Sequence, residues 1–483
     1  MLGISVSNLC VNGFRGGIDA DAKAIYNRII AIPNGFSNLS RLNYFVKGLK
    51  AIYGTLSNVP VCYDAHWIGG VLGSGVGATA GQACARLCSL TVAGDAVQAT
   101  ASAQPLLLMH GGAASDNYWY SPRVTGNFVS SPNATVNQIS GNIEIIVRYQ
   151  SNTIGIIQTL LMKGNTTAYN YAVDISTTNN LRFIYGGFNV ITSSQTINPL
   201  ILQYYKVTRN STTGDVQFFT SIDGVTYTQL GTTQSSTVGN LPTNTVQLVV
   251  GDNTAFTGNA SQGNIYRVTI SNTIGGAPVV DFNPAQYNAS ISQTAWTSST
   301  GEVWTINTGT ATTGYKGVIC DRIIVMFDGV DDNIKNATVP RGNICSQYLV
   351  YKTENEPGSG VTILDSASAN YQNSFAPEAS NMKLYMNGTL SGLTKTLGTT
   401  LSLFTATNNQ GVLNTLQKNN DTEVSNSYTP TLSGTGITIG KLALSSFYQK
   451  GNVHTYICNI GVDTTTTRTA MYNFIRSLNN NAF

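Results

Sequence analysis

The sequence predicts a mainly β protein built from two sandwiches, with a small helical part at its N-terminus. From about residue 118 onward, short strings of alternating apolar and polar residues are separated by Asn, Gly, Ser and Thr. This pattern is typical of antiparallel sandwiches and barrels. The strings recur in a similar order, which indicates two copies of one β domain. Clear helical periodicity is confined to the two ends of the chain.

Two helices are predicted near the N-terminus. Asp19 is a suitable N-cap, and Pro33, Asn34 and Gly35 end the first helical segment. Ser37 precedes the second. Their apolar positions follow helical spacing: Ala22, Ile25, Tyr26 and Ile29, then Leu42, Phe45, Val46 and Leu49. Residues 54–104 are rich in Gly, Ala and Ser, and we interpret them as irregular, packed-down chain.

A diverged internal repeat organises the remainder. Residues 248–251 resemble residues 437–440. The strings that follow them, 263–270 and 451–458, also resemble each other. Further correspondences pair 180–186 with 381–388, and 126–128 with 327–332. We therefore predict three segments: an N-terminal helical and irregular anchoring module (1–117), a first sandwich (118–317) and a second sandwich (318–483). Met471, Phe474, Ile475 and Leu478 predict a terminal helix that packs on the second sandwich.

Composition and charge exclude several classes of function. Lys and Arg number 26 against 23 Asp and Glu, and charged residues make up 10% of the chain. This balance offers no dense phosphate-binding surface, so we expect no nucleic-acid partner. No run approaches the roughly eighteen apolar residues that would span a bilayer, so we expect no membrane insertion. The first residues lack a basic region followed by an apolar stretch, and we expect no secretory signal.

Residues that could carry catalysis are sparse. Glu354 and Glu356 stand two apart, but the following Pro357 and Gly358 favour a loop tip over a catalytic strand. The three histidines lack partners at ligand spacing and favour structural roles; they are His66, His110 and His454. We therefore predict no catalytic residues, no cofactor and no enzymatic activity.

The cysteines are odd in number and lie mostly within apolar strings, which indicates buried thiols. They are Cys10, Cys62, Cys84, Cys88, Cys320, Cys345 and Cys458. Cys84 and Cys88 lie four apart, but no second pair follows at the spacing of zinc ligands. We therefore do not expect a metal site there.

Two groups of residues leave a binding role open. Asp328, Asp331 and Asp332 form the densest acidic cluster, and such oxygen-rich loops can hold Ca²⁺. A structural turn is the interpretation we prefer, because the first copy has no matching acids. Aromatic groups could stack on sugars or belong to the core and sheet edges. They are Tyr118-Trp119-Tyr120, Tyr204-Tyr205 and Phe447-Tyr448.

The strands resemble a laminin-G-like or concanavalin A-like jelly roll. The resemblance rests on the Asp223-Gly224 hairpin, the string 327–332, and the closing strands that follow a Val/Ile-Gly pair. The segments 281–287 and 296–307, together with the helical segment 19–50, are similar to tailed-bacteriophage virion proteins that carry this domain.

The resemblance implies a structural surface component of a bacteriophage virion, such as a fibre, decoration or adhesion protein. Its partners would be other virion proteins, sister copies in a homo-oligomer and host surface glycans. A tail receptor-binding protein specific for host polysaccharide is one alternative. A depolymerase or glycosidase is another, and a cellular adhesin is a third.

Overall fold

The computed structural model describes several stretches of the chain. They are residues 17–32, 36–37, 39–59, 61–64, 67–71, 82–90, 95–100, 103–108, 110, 114–165, 168–252, 258–287, 294–308, 315–321, 324–328, 333–336, 344–353, 364–365, 374–378, 381–386, 389–397, 401–409, 413–427, 437–439 and 450–479.

Three α-helices occur in these stretches: α1 (Ala20–Ile30), α2 (Leu39–Tyr53) and α3 (Thr465–Leu478). Asp19 caps α1 and Thr464 caps α3, each through its side-chain oxygen. The apolar faces of all three helices share one buried cluster. The predicted N-terminal helices and the predicted terminal helix are confirmed. None of the helices in the described stretches is long and apolar enough to cross a bilayer.

The strands are numbered along the chain. Those ahead of residue 110 are β1 (Phe36–Ser37), β2 (Val61–Asp64), β3 (Trp67–Val71), β4 (Gln82–Leu87), β5 (Ala96–Val97) and β6 (Leu106–Leu108). The strands of the first sandwich are β7 (Tyr118–Pro122), β8 (Asn127–Ser131), β9 (Ile143–Ser151), β10 (Gln158–Gly164), β11 (Tyr169–Ile175), β12 (Asn180–Gly186), β13 (Asn189–Thr196), β14 (Gln203–Arg209), β15 (Asp215–Ser221), β16 (Thr228–Gln229), β17 (Gln234–Ser235), β18 (Leu248–Val250), β19 (Gln262–Ser271), β20 (Val280–Phe282), β21 (Ala295–Thr297), β22 (Val303–Thr308) and β23 (Val318–Cys320).

The remaining strands belong to the second sandwich. They are β24 (Ile324–Asp328), β25 (Ile334–Asn336), β26 (Ile344–Thr353), β27 (Leu364–Asp365), β28 (Ser374–Glu378), β29 (Asn381–Met386), β30 (Thr389–Thr396), β31 (Ser402–Asn409), β32 (Leu413–Lys418), β33 (Val424–Asn426), β34 (Ile437–Ile439) and β35 (Lys450–Ile460).

The first sandwich consists of two antiparallel sheets. Sheet I has the order β16-β15-β14-β9-β19-β7-β23, with β17 on β15 and β20 on β19. Sheet II has the order β13-β12-β11-β10-β18-β8-β22-β21. Their inner faces enclose one core, to which sheet I contributes Trp119 and Val147 and sheet II contributes Tyr171 and Phe183. The predicted mainly β sandwich fold is confirmed.

The second sandwich repeats this strand order. The series β15-β14-β9-β19-β7 of sheet I corresponds to β32-β31-β26-β35-β24, which we call sheet III. The series β12-β11-β10-β18-β8 of sheet II corresponds to β29-β28-β27-β34-β25, which we call sheet IV. Three predicted correspondences of the internal repeat fall on equivalent strands in their described residues: β18 and β34, β19 and β35, and β12 and β29. The fourth does not, because Asn127 and Phe128 begin β8, whereas Phe327 and Asp328 end β24, the equivalent of β7.

The two copies differ in where their closing strands come from. In the first, β20 pairs with β19, β22 with β8 and β23 with β7, and all three follow β19 in the chain. In the second, β2 pairs with β35, β5 with β25 and β6 with β24, although these strands precede the first sandwich. The first sandwich is therefore inserted into the second. The predicted boundary at residue 117 is corrected accordingly, since the described strands β2 to β6 belong to the second sandwich.

The prediction of irregular chain over 54–104 is wrong where the structure describes β2, β3, β4 and β5. All four residues of β2 are buried, because Val61 and Tyr63 face the core of the second sandwich while Cys62 faces the helices. A strand covered on both faces shows no alternation of apolar and polar residues. The neighbouring strands β3, β4 and β5 are short and contain Gly or Ala, so their sequences give little further indication of a strand.

A separate apolar cluster joins the two sandwiches. The second contributes Leu106, Leu108, Ile324 and Met326 from β6 and β24, and the first contributes Tyr118, Tyr120, Val318 and Cys320 from β7 and β23. All eight side chains are buried, so the two sandwiches meet in an apolar contact beside the outer face of sheet I.

Candidate functional site

The outer face of sheet I carries a group of half-buried aromatic and basic side chains. Alternation along each strand places them there: Val147, Tyr205 and Ile265 are buried in the core, and Arg148, Tyr204 and Tyr266 point away from it. A bulge in β19 between Ile265 and Arg267 brings Tyr266 towards Arg148.

Arg148 lies between two tyrosine rings. Its guanidinium carbon is 4.7 Å from the centroid of the Tyr266 ring and 5.7 Å from that of the Tyr204 ring. Tyr266 in turn contacts Tyr118, with 5.0 Å between ring centroids. We call Tyr118, Tyr266, Arg148 and Tyr204 the aromatic row. The row runs across sheet I from the contact between the sandwiches.

A second cation lies beside the row. The Lys206 ammonium is 4.7 Å from the centroid of the Phe219 ring and 4.1 Å from that of Tyr227. Lys206 neighbours Ile146 of β9 and Phe219 of β15 in the sheet register. Such cation–π contacts stabilise a cation that has lost part of its hydration.

The hairpin 221–227 closes the site at the end of the row. The Asp223 carboxylate accepts hydrogen bonds from the backbone N–H groups of Val225 and Thr226, at 2.9 and 2.8 Å. These bonds lower the pKa of Asp223 to about 2. Gly224 has a φ of +72°, and a Cβ there would lie 2.7 Å from the Tyr204 ring. The hairpin therefore packs directly against Tyr204, and the predicted Asp-Gly hairpin is confirmed.

The hydroxyls of Tyr227 and Tyr266 remain protonated at neutral pH. Burial raises the pKa of Tyr227 to about 12, and the nearby Tyr204, Glu144 and Asp223 add to the shift. Burial likewise raises the pKa of Tyr266 to about 12. The site thus offers ring surfaces together with O–H and guanidinium N–H donors.

The predicted aromatic groups divide between core and surface. Trp119 and Tyr205 belong to the core of the first sandwich, and Tyr118 and Tyr120 to the cluster between the sandwiches. Tyr204 lies on the outer face. Phe447-Tyr448 lies outside the described residues. Sequence reasoning missed Arg148, Lys206, Phe219, Tyr227 and Tyr266, although the alternation along β9 already pointed Arg148 outward.

The candidate calcium cluster cannot be assembled from the described residues. The backbone of Asp328 ends β24 and pairs with Lys450. The side chain of Asp328 lies outside the described residues, as do Asp331 and Asp332. Within the described stretches, no group of three or more His, Cys, Asp or Glu side chains could hold a metal ion.

The other singled-out residues have structural surroundings or are not described. His110 shares a hydrogen bond of 2.9 Å with Asn117, and His454 is buried in β35. Six cysteines are buried free thiols, as predicted: Cys62, Cys84, Cys88, Cys320, Cys345 and Cys458. Cys10, His66, Glu354 and Glu356 lie outside the described residues.

Comparisons with known proteins return distant likenesses of fold. No protein-family model and no curated protein sequence matches the chain. The chain is similar to the LG1-3 region of the laminin alpha2 chain, at 11% identity over 72% of this chain, with a TM-score of 0.30; it spans 63% of that region. It is similar to mouse laminin alpha1 domains LG4-5, at 9% identity over 70% of this chain and 87% of theirs, with a TM-score of 0.29.

A third solved structure is a Bacteroides ovatus protein provisionally described as carbohydrate-binding. It is 11% identical over 43% of this chain and 60% of its own length, with a TM-score of 0.31. Scores at this level carry no argument about ligand or activity. The fold assigned above rests on the strand pairing itself.

Proposed function

We propose that this chain is a non-enzymatic carbohydrate-binding protein of a bacteriophage particle, and that it holds glycans on the outer face of sheet I. The aromatic row carries the proposal. Tyr204 and Tyr266 flank Arg148 on three neighbouring strands, so ring surface and hydrogen-bond donors lie side by side. Sugars present C–H surfaces that pack on aromatic rings and hydroxyls that accept such donors.

The particle role is supported by the sequence. Segments 281–287 and 296–307 resemble virion proteins, and a chain in which only 10% of residues are charged suits repeated weak contacts with glycans. We propose a fibre, decoration or adhesion protein on the virion that assembles as a homo-oligomer and needs no cofactor. The apolar faces of α1, α2 and α3 are buried on their own sandwich. Contacts with other virion proteins would therefore use the exposed surface.

A glycan array tests the binding function. The intact protein is screened beside Tyr204→Ala and Phe188→Ala. Phe188 is a matched control, because it is an exposed aromatic residue at the end of the β12–β13 hairpin, on sheet II. We expect Tyr204→Ala to weaken binding by roughly tenfold, since loss of one stacking ring costs about 1–2 kcal/mol, and Phe188→Ala to bind normally. Equal binding by all three proteins would refute the assigned face.

Two further measurements test the particle role. Antibody-gold labelling of intact phage, viewed by electron microscopy, should mark the virion surface. Incubation with bound polysaccharide should release no reducing sugar. Labelling confined to infected-cell debris would contradict the virion assignment, and steady sugar release would favour the depolymerase alternative.

A further inference from the structure

We infer that the face on sheet I selects glycans that carry a negatively charged substituent, a carboxylate or a sulfate, and that Arg148 and Lys206 are the selecting residues. This inference rests on the proposed function, because it names the ligand class of the same site. The inference follows from a comparison of the acidic residues around this face, which have partners, with Arg148 and Lys206, which form no ion pair with the described residues.

The acidic groups around the face are engaged. Asp281 forms a two-point ion pair with Arg267, at 2.9 and 3.0 Å. Asp223 binds its own hairpin N–H groups. Glu144 is buried, and its carboxylate accepts from the N–H of Gly275 at 3.3 Å. The charge of Asp116 acts on the hydroxyl of Tyr266, and Asp116 is not without a partner.

The two central cations, in contrast, have no acidic partner among the described residues. Within the same residues, Lys206 makes aromatic contacts but no hydrogen bond or ion pair. Arg148 donates one N–H to the backbone carbonyl of Ser115, at 3.0 Å. Its other guanidinium N–H groups have no partner in the described part of the chain. The face therefore holds two cations that form no ion pair with a carboxylate of the described stretches, while the charges of Glu144 and Asp223 reach Tyr227, which contacts Lys206.

The aromatic surroundings favour the binding of an anion by both cations. Two rings contact each cation, where they displace part of its hydration shell and fix the position of a long, flexible side chain. A partly dehydrated, immobilised cation gains more from an anion than a solvated surface lysine does. The open guanidinium edge of Arg148 can also bind a carboxylate or sulfate through two parallel hydrogen bonds.

The test uses polysaccharide pairs that differ in charge but share a backbone. Binding of the intact protein to dextran sulfate is compared with binding to dextran, and binding to polygalacturonate with binding to its methyl ester. The variants are Arg148→Gln and Lys206→Met, which remove the charge and keep an unbranched side chain. Lys23→Met is the matched control, because it removes the same charge from an exposed position on α1.

We expect each anionic polymer to bind at least about tenfold more tightly than its neutral partner, as a charge-assisted hydrogen bond implies. Arg148→Gln and Lys206→Met should each remove most of that preference, and Lys23→Met should preserve it. Preference for sulfate over carboxylate, or the reverse, identifies the natural substituent.

Other outcomes separate the two proposals. Equal affinity for charged and neutral polymers that is lost in Tyr204→Ala would overturn the charge selection and leave glycan binding standing. Loss of the preference in Lys23→Met to the same extent would show nonspecific attraction and would also overturn it. Absence of binding to every polymer and to the glycan array would overturn the proposed function itself.

Discussion

The hydroxyl of Tyr53, at the end of α2, donates a hydrogen bond to Asp463, just ahead of α3, with 2.7 Å between the oxygens. Tyr348 of β26 donates to the same carboxylate oxygen, and Asn459 of β35 donates to the other at 2.7 Å. Burial raises the pKa of Asp463, while these donors oppose the shift. One carboxylate thus connects the N-terminal helices, sheet III and the terminal helix.

Tyr53→Phe should lower the free energy of unfolding by about 1–2 kcal/mol, because a buried carboxylate loses one of its donors. Urea denaturation measures the change. Tyr26→Phe is the control, since the described residues offer its hydroxyl no hydrogen-bond partner, and it should leave the midpoint nearly unchanged. A normal midpoint for Tyr53→Phe would show that the link contributes little.

Gly48→Ala should destabilise the protein although Ala favours helix formation. A Cβ at residue 48 of α2 would lie 2.1 Å from the Phe474 ring of α3. That ring also packs on Tyr44 and Phe45, so it cannot move without further loss. We expect a net loss of about 1–3 kcal/mol, measured by denaturation. The double variant with Phe474→Leu should recover part of it; simple additivity of the two losses would argue against a direct clash.

Gly224→Ala should impair glycan binding with little effect on global stability. The added Cβ would push the hairpin 221–227 away from Tyr204. Gly239→Ala is a matched control, because Gly239 has a φ of +110° but a Cβ added there would meet no described atom within 4 Å. Both variants bear backbone strain of about 1 kcal/mol. Similar glycan affinities for the two would mean that the hairpin does not shape the site.

The hairpin should persist in mild acid and open at strongly acidic pH. The pKa of Asp223 is lowered to about 2, against about 3.9 in an unfolded chain. Its stabilising bonds are therefore fully present above about pH 4 and are lost as the pH falls through about 2. The amide proton shifts of Val225 and Thr226 should titrate near pH 2, as followed by NMR. Asp223→Ala should abolish that step; a midpoint near 4 would contradict the assigned bonds.

Residues 114–321 should fold when expressed alone, because they contain every strand of sheets I and II. Deletion of 61–108 from the full chain should unfold the second sandwich, which loses β2, β3, β4, β5 and β6. Calorimetry should then show one transition, matching that of the isolated fragment. A second transition in the deletion variant would show that these strands are dispensable.

The sequence predicts most reliably those strands that have one exposed face. In β9, the buried Ile143, Ile145 and Val147 alternate with Glu144, Ile146 and Arg148, and the strand lies where this alternation predicts it. The repeat was also visible, because equivalent strands kept similar strings. β2 escaped prediction because helices cover one of its faces and a core the other.

The candidate site was harder to predict, because its residues meet through long-range pairing. Arg148 and Tyr204 come from strands about fifty residues apart, and Tyr266 reaches them through a bulge. Alternation gives the direction of each side chain but not its neighbours across the sheet. The hairpin, by contrast, depends on a local Asp-Gly pair and was predicted correctly.

Leu108 of β6 and Ile324 of β24 pair directly, at the points where the chain leaves and re-enters the second sandwich. The first sandwich is therefore joined to the second through two adjacent, paired strands. Another domain whose N- and C-termini lie equally close together could replace the first sandwich without changing the strand order of the second. The junction is therefore a suitable point at which to graft another domain into this scaffold.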